Sequence, residues 1–352
     1  MNSSLPIVIS ASRRTDIPAF YMEWFMDRIE EGSFDVINPY NQHISVVPAT
    51  YENVHSIVFW SKNFRPFIEN GYGDKLKKRG YNLFFNFTIN SYSPLLEPNL
   101  PSLADRLDQL ESLCSRFDSK AINWRFDPLC FYKTKGNQLM DNLHDFSLIA
   151  DKASNCGIKR CITSFMDHYP KIKKRTAQIP DFSFTDPPLE KKKEIVLKMA
   201  KTLSKKKISL QTCCEKEVID ALPLDCGTCC EKEVIDALPL DCGIKKSSCI
   251  PNDLLVEIFG GRLSMRKDSG QRIKSGCGCK VSVDIGSYNL HPCYHSCLFC
   301  YANPAIKAWR PGCKDAGKLE GRETGKLKFH GETLNSNFLI SVKFPCNSVV
   351  KI

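Results

Sequence analysis

The stretch Pro6-Ile-Val-Ile-Ser-Ala11, followed at once by Ser12-Arg13-Arg14-Thr15-Asp16, shows the pattern that decides the fold. A short apolar, β-branched run is typical of a buried strand, and the polar residues after it mark the end of that strand. Seven similar runs follow with helical patterns between most of them, and this alternation predicts a parallel sheet. The predicted strands span residues 6–11, 34–37, 56–60, 82–89, 121–126, 159–165, 208–211 and 281–285, and the predicted helices span 19–31, 102–117, 138–154 and 187–204.

Charged side chains gather where these strands end. Eight strand–helix units of this kind are typical of a TIM-like (β/α)8 barrel, in which the carboxyl ends of the strands share the face that carries the active site. We expect the two arginines after the first strand to bind an anionic group, and the other charged residues to orient a substrate or move protons. Structural ion pairs are the alternative for each of them. The candidates are Arg13, Arg14, Asp16, Lys62, Arg125, Asp127 and Asp167.

Cysteine is the unusual component of the composition, with 18 in 352 residues. The chain is far longer than the small secreted domains that disulfides stabilise. It shows no basic leader and no apolar run of about 18 residues, so we expect a cytoplasmic protein without a membrane span. In a reducing compartment, clustered cysteines indicate metal ligands or redox groups.

The densest cysteine motif is Cys293-Tyr-His-Ser-Cys297-Leu-Phe-Cys300. Thiolates select zinc or iron–sulfur clusters over hard cations. Three cysteines on a [4Fe–4S] cluster would leave one iron without a protein ligand, and such an open position can bind a small molecule. Zinc remains the alternative at this spacing.

A second group of cysteines could close another site. Four ligands complete a zinc site or a [4Fe–4S] cluster, which would then have a structural or electron-relay role. Cys114, Cys130, Cys156 and Cys161 lack ligand spacing and are expected to pack as small apolar residues. The candidate ligands are Cys213, Cys249, Cys277 and Cys279, with Cys229 as the alternative to Cys213.

That ambiguity arises from an internal repeat, because residues 212–227 and 228–243 are identical. Two copies are too few for a repeat architecture, which needs at least three units. We interpret residues 228–243 as a surplus copy that forms a surface excursion. The predicted organisation is barrel units one to seven over residues 1–212, a cysteine-rich part that completes the barrel over 213–310, and a tail over 311–352.

The quoted motifs resemble those of an uncharacterised family, a domain of unknown function whose carboxyl-terminal cysteines are similar to those of radical S-adenosylmethionine (SAM) enzymes. The cysteine segment is also similar to that of spore photoproduct lyase-type radical SAM proteins. This resemblance implies a [4Fe–4S] cluster on Cys293, Cys297 and Cys300, SAM on its fourth iron, and a 5′-deoxyadenosyl radical that abstracts hydrogen. The matching segments are residues 10–18, 59–63, 124–128, 164–167, 277–279, 282–286 and 293–303.

The chain departs from the radical SAM pattern in two ways. Their cluster loop follows the first barrel strand, whereas this one follows the last, so the order is circularly permuted if the eighth strand plays the part of their first. A Gly-Gly-Glu type segment, which usually contacts SAM, is not evident. SAM binding is therefore less well supported than cluster binding.

Three functions remain open at this stage. The first is a radical SAM-like enzyme that needs an electron donor and acts on an unknown small or anionic substrate. The second is a non-catalytic zinc or iron–sulfur metalloprotein with a structural or regulatory role. The third is a lyase-like protein that acts on nucleic acid, suggested by the net charge of +10 and by basic runs at 171–175, 191–193 and 205–207. Solvated helix faces explain these runs as well, and we favour that interpretation.

Deletion of residues 228–243 tests the interpretation of the repeat. We expect an unchanged midpoint of thermal unfolding and an unchanged metal content, because one copy retains every ligand candidate that a single-copy chain would have. Calorimetry and elemental analysis of the deleted chain would check this. A loss of either folding or metal would show that both copies are needed.

Overall fold

Parallel strands dominate the fold, as the alternating sequence pattern predicts. The structure is a computed structural model that describes residues 5–222, residues 244–302 and two short strands near the carboxyl terminus. The strands are β1 (Ile7–Ala11), β2 (Ser33–Ile37), β3 (Ile44–Pro48), β4 (Val54–Ser61), β5 (Leu83–Thr88), β6 (Ile122–Leu129), β7 (Phe131–Lys133), β8 (Leu139–Asp141), β9 (Arg160–Phe165), β10 (Ser183–Thr185), β11 (Ser209–Thr212), β12 (Lys245–Lys246), β13 (Val283–Asp284), β14 (Val342–Lys343) and β15 (Val349–Val350). The helices are α1 (Ile17–Phe20), α2 (Met22–Glu31), α3 (Arg65–Glu69), α4 (Tyr72–Lys78), α5 (Leu103–Arg116), α6 (Phe146–Asn155), α7 (Pro170–Thr176), α8 (Leu189–Ser204), α9 (Lys216–Asp220) and α10 (Asn252–Phe259).

One sheet of eight strands has the order β12-β11-β9-β6-β5-β4-β1-β13, and every neighbouring pair in it is parallel. Apart from β13, which lies beside β1, neighbours in this sheet follow one another along the chain. A (β/α)8 barrel cut between its last two strands has the same order. Within residues 5–222 and 244–302, β12 and β13 do not pair, so closure into a barrel stays a prediction.

The predicted second strand is wrong as a member of this sheet. Residues 34–37 lie in β2, which pairs with β3 in a separate antiparallel hairpin. Only residues 38–43 connect these two strands, whereas a parallel connection needs a crossover of about a dozen residues or more. The eighth place is taken by β12, whose two lysines carry no apolar signal and pair with Gln211 and Thr212 of β11.

The two faces of the sheet are covered by different elements, because successive strand residues point to opposite faces. Phe85 and Phe87 of β5 belong to the larger core, which the helices α2, α5, α6 and α8 complete. Phe84 lies in a second apolar cluster with Leu255 of α10. Since both faces are buried, β5 is a continuous apolar run with one polar interruption, as is typical of parallel sheets.

A carboxylate ties the first and last strands of this sheet together. Asp284 of β13 accepts hydrogen bonds from Ser10 Oγ at 3.0 Å, from Ser12 Oγ at 2.5 Å and from the backbone N–H of Arg13 at 2.7 Å. These bonds fix the start of the loop after β1. The segment that precedes the cysteine motif is thereby held against the amino-terminal strand.

The described residues up to Ala302 belong to one compact unit, and the division of the barrel at residue 212 stays a prediction. The strands β14 and β15 pair antiparallel in a second unit. The surplus repeat copy, residues 228–243, lies outside the described residues. Within the described residues, no helix is sufficiently long and apolar to cross a membrane.

Replacement of Trp124 by alanine should lower the free energy of unfolding by about 3–5 kcal/mol, as is usual for a buried tryptophan. The ring is fully buried, stacks on Phe146 at 5.5 Å, and donates from Nε1 to the carbonyl oxygen of Ile89 at 3.0 Å. Leu148→Ala is the control, because that side chain is 55% exposed, and we expect a change of about 0.5 kcal/mol or less. Urea denaturation of both variants would measure the difference, and similar losses would contradict this account of the core.

Candidate metal centre

Five cysteine thiols from three chain segments lie together at the carboxyl edge of the sheet. Cys213 and Cys214 follow β11, Cys249 follows β12, and Cys277 and Cys279 precede β13. The Sγ atom of Cys213 lies 3.7 Å from that of Cys214 and 3.8 Å from that of Cys249. The sulfurs of Cys213, Cys214 and Cys277 all lie within 4.8 Å of one another. We call these residues the five-thiol group.

The backbone of Cys214 explains how two adjacent residues contribute to one group. Neighbouring strand residues normally point to opposite faces. Cys214 has a φ of 63°, in the left-handed region that non-glycine residues seldom adopt, and its sulfur turns back toward that of Cys213. Such strained positions are found preferentially at functional sites. The sequence places Cys214 beside Cys213 at the end of a strand, but Cys214 was not among the four predicted ligands. The alternative ligand Cys229 lies outside the described residues.

The sulfur spacing fits a single tetrahedral ion. Zinc–sulfur bonds of about 2.3 Å in tetrahedral geometry place two ligating sulfurs about 3.8 Å apart. The two distances from Cys213 agree with this value. In a [4Fe–4S] cluster each thiolate binds a different iron, which separates the sulfurs more widely. The donor set itself, five thiols with no carboxylate, suits either a zinc ion or an iron–sulfur cluster.

A buried arginine contacts this group directly. Arg125 Nη1 donates to Cys249 Sγ at 2.5 Å, and Nη2 pairs with the carboxylate of Asp127. Burial alone would lower the pKa of Arg125, but the charges of Asp127, Cys249 and Cys213 raise it well above its ordinary value. A guanidinium that is always charged favours an anionic sulfur beside it. The hydrogen bond between Cys249 and Cys213, together with burial, raises the pKa of Cys249 to about 12.

Two guanidinium groups flank one tryptophan next to the five-thiol group. The centres of Arg13 and Arg125 lie 5.4 Å and 5.0 Å from the centroid of Trp60, which packs against the cysteines. Arg13 also forms a long ion pair with Asp268, at 3.9 Å. Burial alone would lower the pKa of Arg13, but the charges of Cys279, Asp284, Cys249 and Asp268 raise it. The guanidinium of Arg13 therefore lies near cysteine sulfurs as well as near the carboxylates of Asp268 and Asp284.

The motif residues Cys293, Cys297 and Cys300 follow β13, and Cys297 and Cys300 pack in an apolar cluster that includes no member of the five-thiol group. Their sulfurs are not all within 4.8 Å of one another. Among the residues that the structure describes, the five-thiol group alone contains three ligand atoms that lie this close together. Cys297 is buried, with its sulfur 3.9 Å from Glu97 Oε1, and Glu97 pairs with Lys62 Nζ at 2.5 Å. Burial raises the pKa of Cys293 to about 12 and raises that of Cys297 well above its ordinary value.

Buried positive charge surrounds Cys297. Arg106 is 1% exposed, and its Nε and Nη1 atoms have no hydrogen-bond partner among the described residues. Burial lowers the pKa of Arg106, whereas the nearby charges of Glu97 and Cys297 act against that. Lys62 already pairs with Glu97. The single carboxylate of Glu97 therefore lies near two cations, Lys62 and Arg106. An anionic sulfur at Cys297 would balance them, because unpaired buried charge is costly.

Asp16 serves as an anchor rather than as a free acid. Its Oδ1 caps α1 by accepting from the backbone N–H of Ala19 at 3.0 Å. Its Oδ2 accepts from Ser61 Oγ at 2.9 Å, from the backbone N–H of Lys62 at 2.9 Å and from His295 Nε2 at 2.7 Å. The carboxylate therefore ties the loops after β1 and β4 to the cysteine motif. His295 was missed by the sequence analysis, although it lies inside that motif.

The other predicted residues are Arg14, Asp127 and Asp167, and each of them contacts a partner in the structure. Asp127 lies at the centre of the edge, where its two oxygens contact Arg125 and Ser164. Arg14 holds the loop after β13 through the carbonyl oxygen of Gly286, at 2.9 Å, and lies 4.0 Å from Asp284. Asp167 forms a half-exposed ion pair with Arg272 at the surface. For these three residues the structure shows ion pairs or loop contacts, which was the structural alternative in the sequence analysis.

Asp16→Asn and Asp167→Asn should differ in their effects on stability. The first replaces a buried oxygen that accepts three hydrogen bonds with an amide that cannot accept them all, so we expect a loss of about 1–3 kcal/mol. The second breaks an exposed pair, which is worth about 1 kcal/mol or less. Both predictions concern the free energy of unfolding, measured by denaturant titration near neutral pH. A larger loss for Asp167→Asn would reverse this assignment of roles.

Two solved structures show distant similarity to this chain. A dihydropyrimidinase from Brevibacillus agri NCHU1002 matches with 10% identity and a TM-score of 0.30, over 64% of this chain and 48% of that one. A D-hydantoinase from Bacillus sp. AR9 matches with 14% identity and a TM-score of 0.25, over 51% and 40%. The chain spans less than half the length of either enzyme, and similarity at this level says nothing about activity.

The family of the chain is clear from its sequence. No curated protein matches it. The family described as "Domain of unknown function (DUF1848)" matches residues 8–241 and 223–302, and the two matched ranges overlap within the duplicated stretch. Since these matches cover most of the chain, the protein belongs to the DUF1848 family.

Proposed function

We propose that this protein is an iron–sulfur enzyme of the radical SAM-like type, with two cysteine sites at one edge of a parallel sheet that closes into a barrel. The observation that carries the proposal is the placement of both cysteine groups at the carboxyl edge, each with buried cations beside a sulfur. Arg125 contacts Cys249 in the five-thiol group, and Lys62 and Arg106 surround Glu97 and Cys297. Buried cations in these positions favour thiolates, which are the form that binds metal.

The five-thiol group would hold the closed centre. Four thiolates complete either a zinc site or a [4Fe–4S] cluster, so one of the five sulfurs is surplus to coordination. Arg125 and Arg13 would neutralise part of its negative charge. Burial of Cys249, Cys277 and Cys279 would keep water away from the metal.

Cys293, Cys297 and Cys300 would hold the open centre, as the resemblance to radical SAM proteins suggests. A [4Fe–4S] cluster with one open iron supplies one-electron chemistry and, with SAM bound, hydrogen abstraction from a substrate. The protein's own part is to hold the loop through Asp16 and His295, and to keep Lys62 paired with Glu97 beside Cys297. Arg13 and Arg125 both lie against Trp60 beside the five-thiol group, and their charge would favour an anionic substrate there.

A specific observation favours a second candidate, a zinc metalloprotein with a structural role. The distances of 3.7 and 3.8 Å from Cys213 to its two neighbours match one tetrahedral zinc ion better than a cluster. Action on nucleic acid has less support, because one of the basic runs that suggested it, at the start of α8, pairs with acidic residues. Lys191, Lys192 and Lys193 pair with Glu194, Asp186 and Glu190.

Metal analysis of anaerobically purified protein separates the two candidates. We expect iron with labile sulfide and a brown chromophore in the unaltered chain. The iron content per chain should be lower in both Cys297→Ala and Cys277→Ala. Cys156→Ala is the matched control, since Cys156 is half-buried and lies outside both groups, and its iron content should be unchanged. Zinc without sulfide in the unaltered chain would support the structural candidate instead. Sulfide and iron would be assayed on the same samples.

The radical step has its own test. Reconstituted and reduced protein, incubated with SAM, should release 5′-deoxyadenosine, and Cys297→Ala should not. An intact cluster that leaves SAM uncleaved would remove the radical part of the proposal and leave the iron–sulfur part standing.

A further inference from the structure

We propose that the exposed face of α7 is the docking surface for an acidic protein that delivers single electrons to the centre at Cys293, Cys297 and Cys300. The inference rests on the proposed iron–sulfur function and adds the kind of partner and the place where it binds. In the exchange, the carrier is oxidised by one electron and the centre is reduced by one. No bond is formed or broken.

The exposed lysines of α7 lack acidic partners. Lys171, Lys173 and Lys174 are exposed, and within residues 5–222 and 244–302 no carboxylate lies within ion-pair distance of them. The basic run of α8 is different, because each of its three lysines is paired. Lys206 is likewise paired, with Asp151. Of the basic runs noted in the sequence, the run on α7 is therefore the one in which every lysine is exposed and none forms an ion pair among the described residues.

The same helix is attached directly to the cysteine loop. Arg175 Nη1 donates to the carbonyl oxygens of Cys297, Leu298 and Cys300, at 3.1, 2.9 and 3.2 Å. The apolar side of α7 is anchored by Ile172, which is buried. A protein bound to the lysine face would thus be separated from the cysteine loop by a single helix.

Aromatic side chains continue the surface from α7 to the cysteines. Tyr169 precedes the first residue of α7, and its ring lies 5.9 Å from that of Tyr301, which follows Cys300. Tyr301 is 43% exposed, and Tyr294 in the same motif is 47% exposed. An exposed tyrosine, Tyr301, linked to α7 through Tyr169 fits the composition of a protein interface, in which aromatic groups are enriched and the rim is polar.

Charge complementarity determines the kind of partner. Electron-transfer complexes are small and transient, and opposite charges steer their partners together. Three unpaired lysines on a chain of net charge +10 favour a strongly acidic carrier. Small reductants have no need of such a surface, so they provide the internal control.

The experiment compares two reductants and two triple variants. Reduction of the reconstituted full chain by photoreduced flavodoxin, an acidic flavin protein, is followed by stopped-flow absorbance alongside reduction by dithionite. Lys171→Glu/Lys173→Glu/Lys174→Glu should slow reduction by flavodoxin about tenfold or more at low salt, with little change in reduction by dithionite. Lys75→Glu/Lys77→Glu/Lys78→Glu is the matched control, because it makes the same charge change on α4, which leads into β5 at the opposite edge of the sheet.

The salt dependence gives a second measurement. The rate with flavodoxin should fall as ionic strength rises for the unaltered chain, and this dependence should be weaker in the α7 variant. Equal slowing in both triple variants, or a rate with flavodoxin that is independent of salt, would overturn the docking surface. Binding of single-stranded DNA that needs the α7 lysines, with flavodoxin reduction unaffected, would overturn it as well. If no iron–sulfur centre forms in the unaltered chain, the proposed function itself has failed.

Discussion

Parallel pairing of eight strands is the constraint on which the site depends. In a parallel sheet every strand ends at the same edge, so residues far apart in the sequence meet there. Arg13, Lys62, Cys213 and Cys249 follow four different strands of this sheet, and Arg125 lies within a fifth, β6. Their contacts need no long connecting loops, because the hydrogen-bond ladders of the sheet place them. An antiparallel arrangement would divide the same residues between two opposite edges.

The second constraint is electrostatic. Two buried cations at this edge are incompletely paired with carboxylates: two nitrogens of Arg106 have no hydrogen-bond partner among the described residues, and Arg125 divides its guanidinium between Asp127 and a cysteine sulfur. Buried charge without a partner is costly. Cysteine sulfurs complete the balance if they are ionised, and this is the physical reason why the cysteines and the basic residues have to be considered as one site.

Much of the sheet could be predicted from the sequence, because its strands are short apolar runs that end in polar residues. Seven of the eight predicted strands lie in the sheet. The exception, at 34–37, has a strand composition, and only the short connection to β3 shows that its partner is antiparallel. β12 could not be predicted, since it consists of two lysines whose place is set by hydrogen bonds to β11.

The types of the site residues could be predicted from the sequence, but their roles could not. Asp16 anchors three other groups, and Cys214 joins the thiols only because of its left-handed backbone. Spacing alone shows neither fact.

The pairing of β1 with β13 has a consequence for how the chain folds during synthesis. Ile9 and Ser10 find their partners at Val283 and Asp284, near the end of the described residues. At a synthesis rate of roughly 5–20 residues per second, β1 is made tens of seconds before its neighbour. During that interval one edge of β1 has unpaired backbone groups, which are able to bind strands of other chains. The nascent chain is thus exposed to aggregation at this edge of β1, and the exposure ends only when β13 has been made.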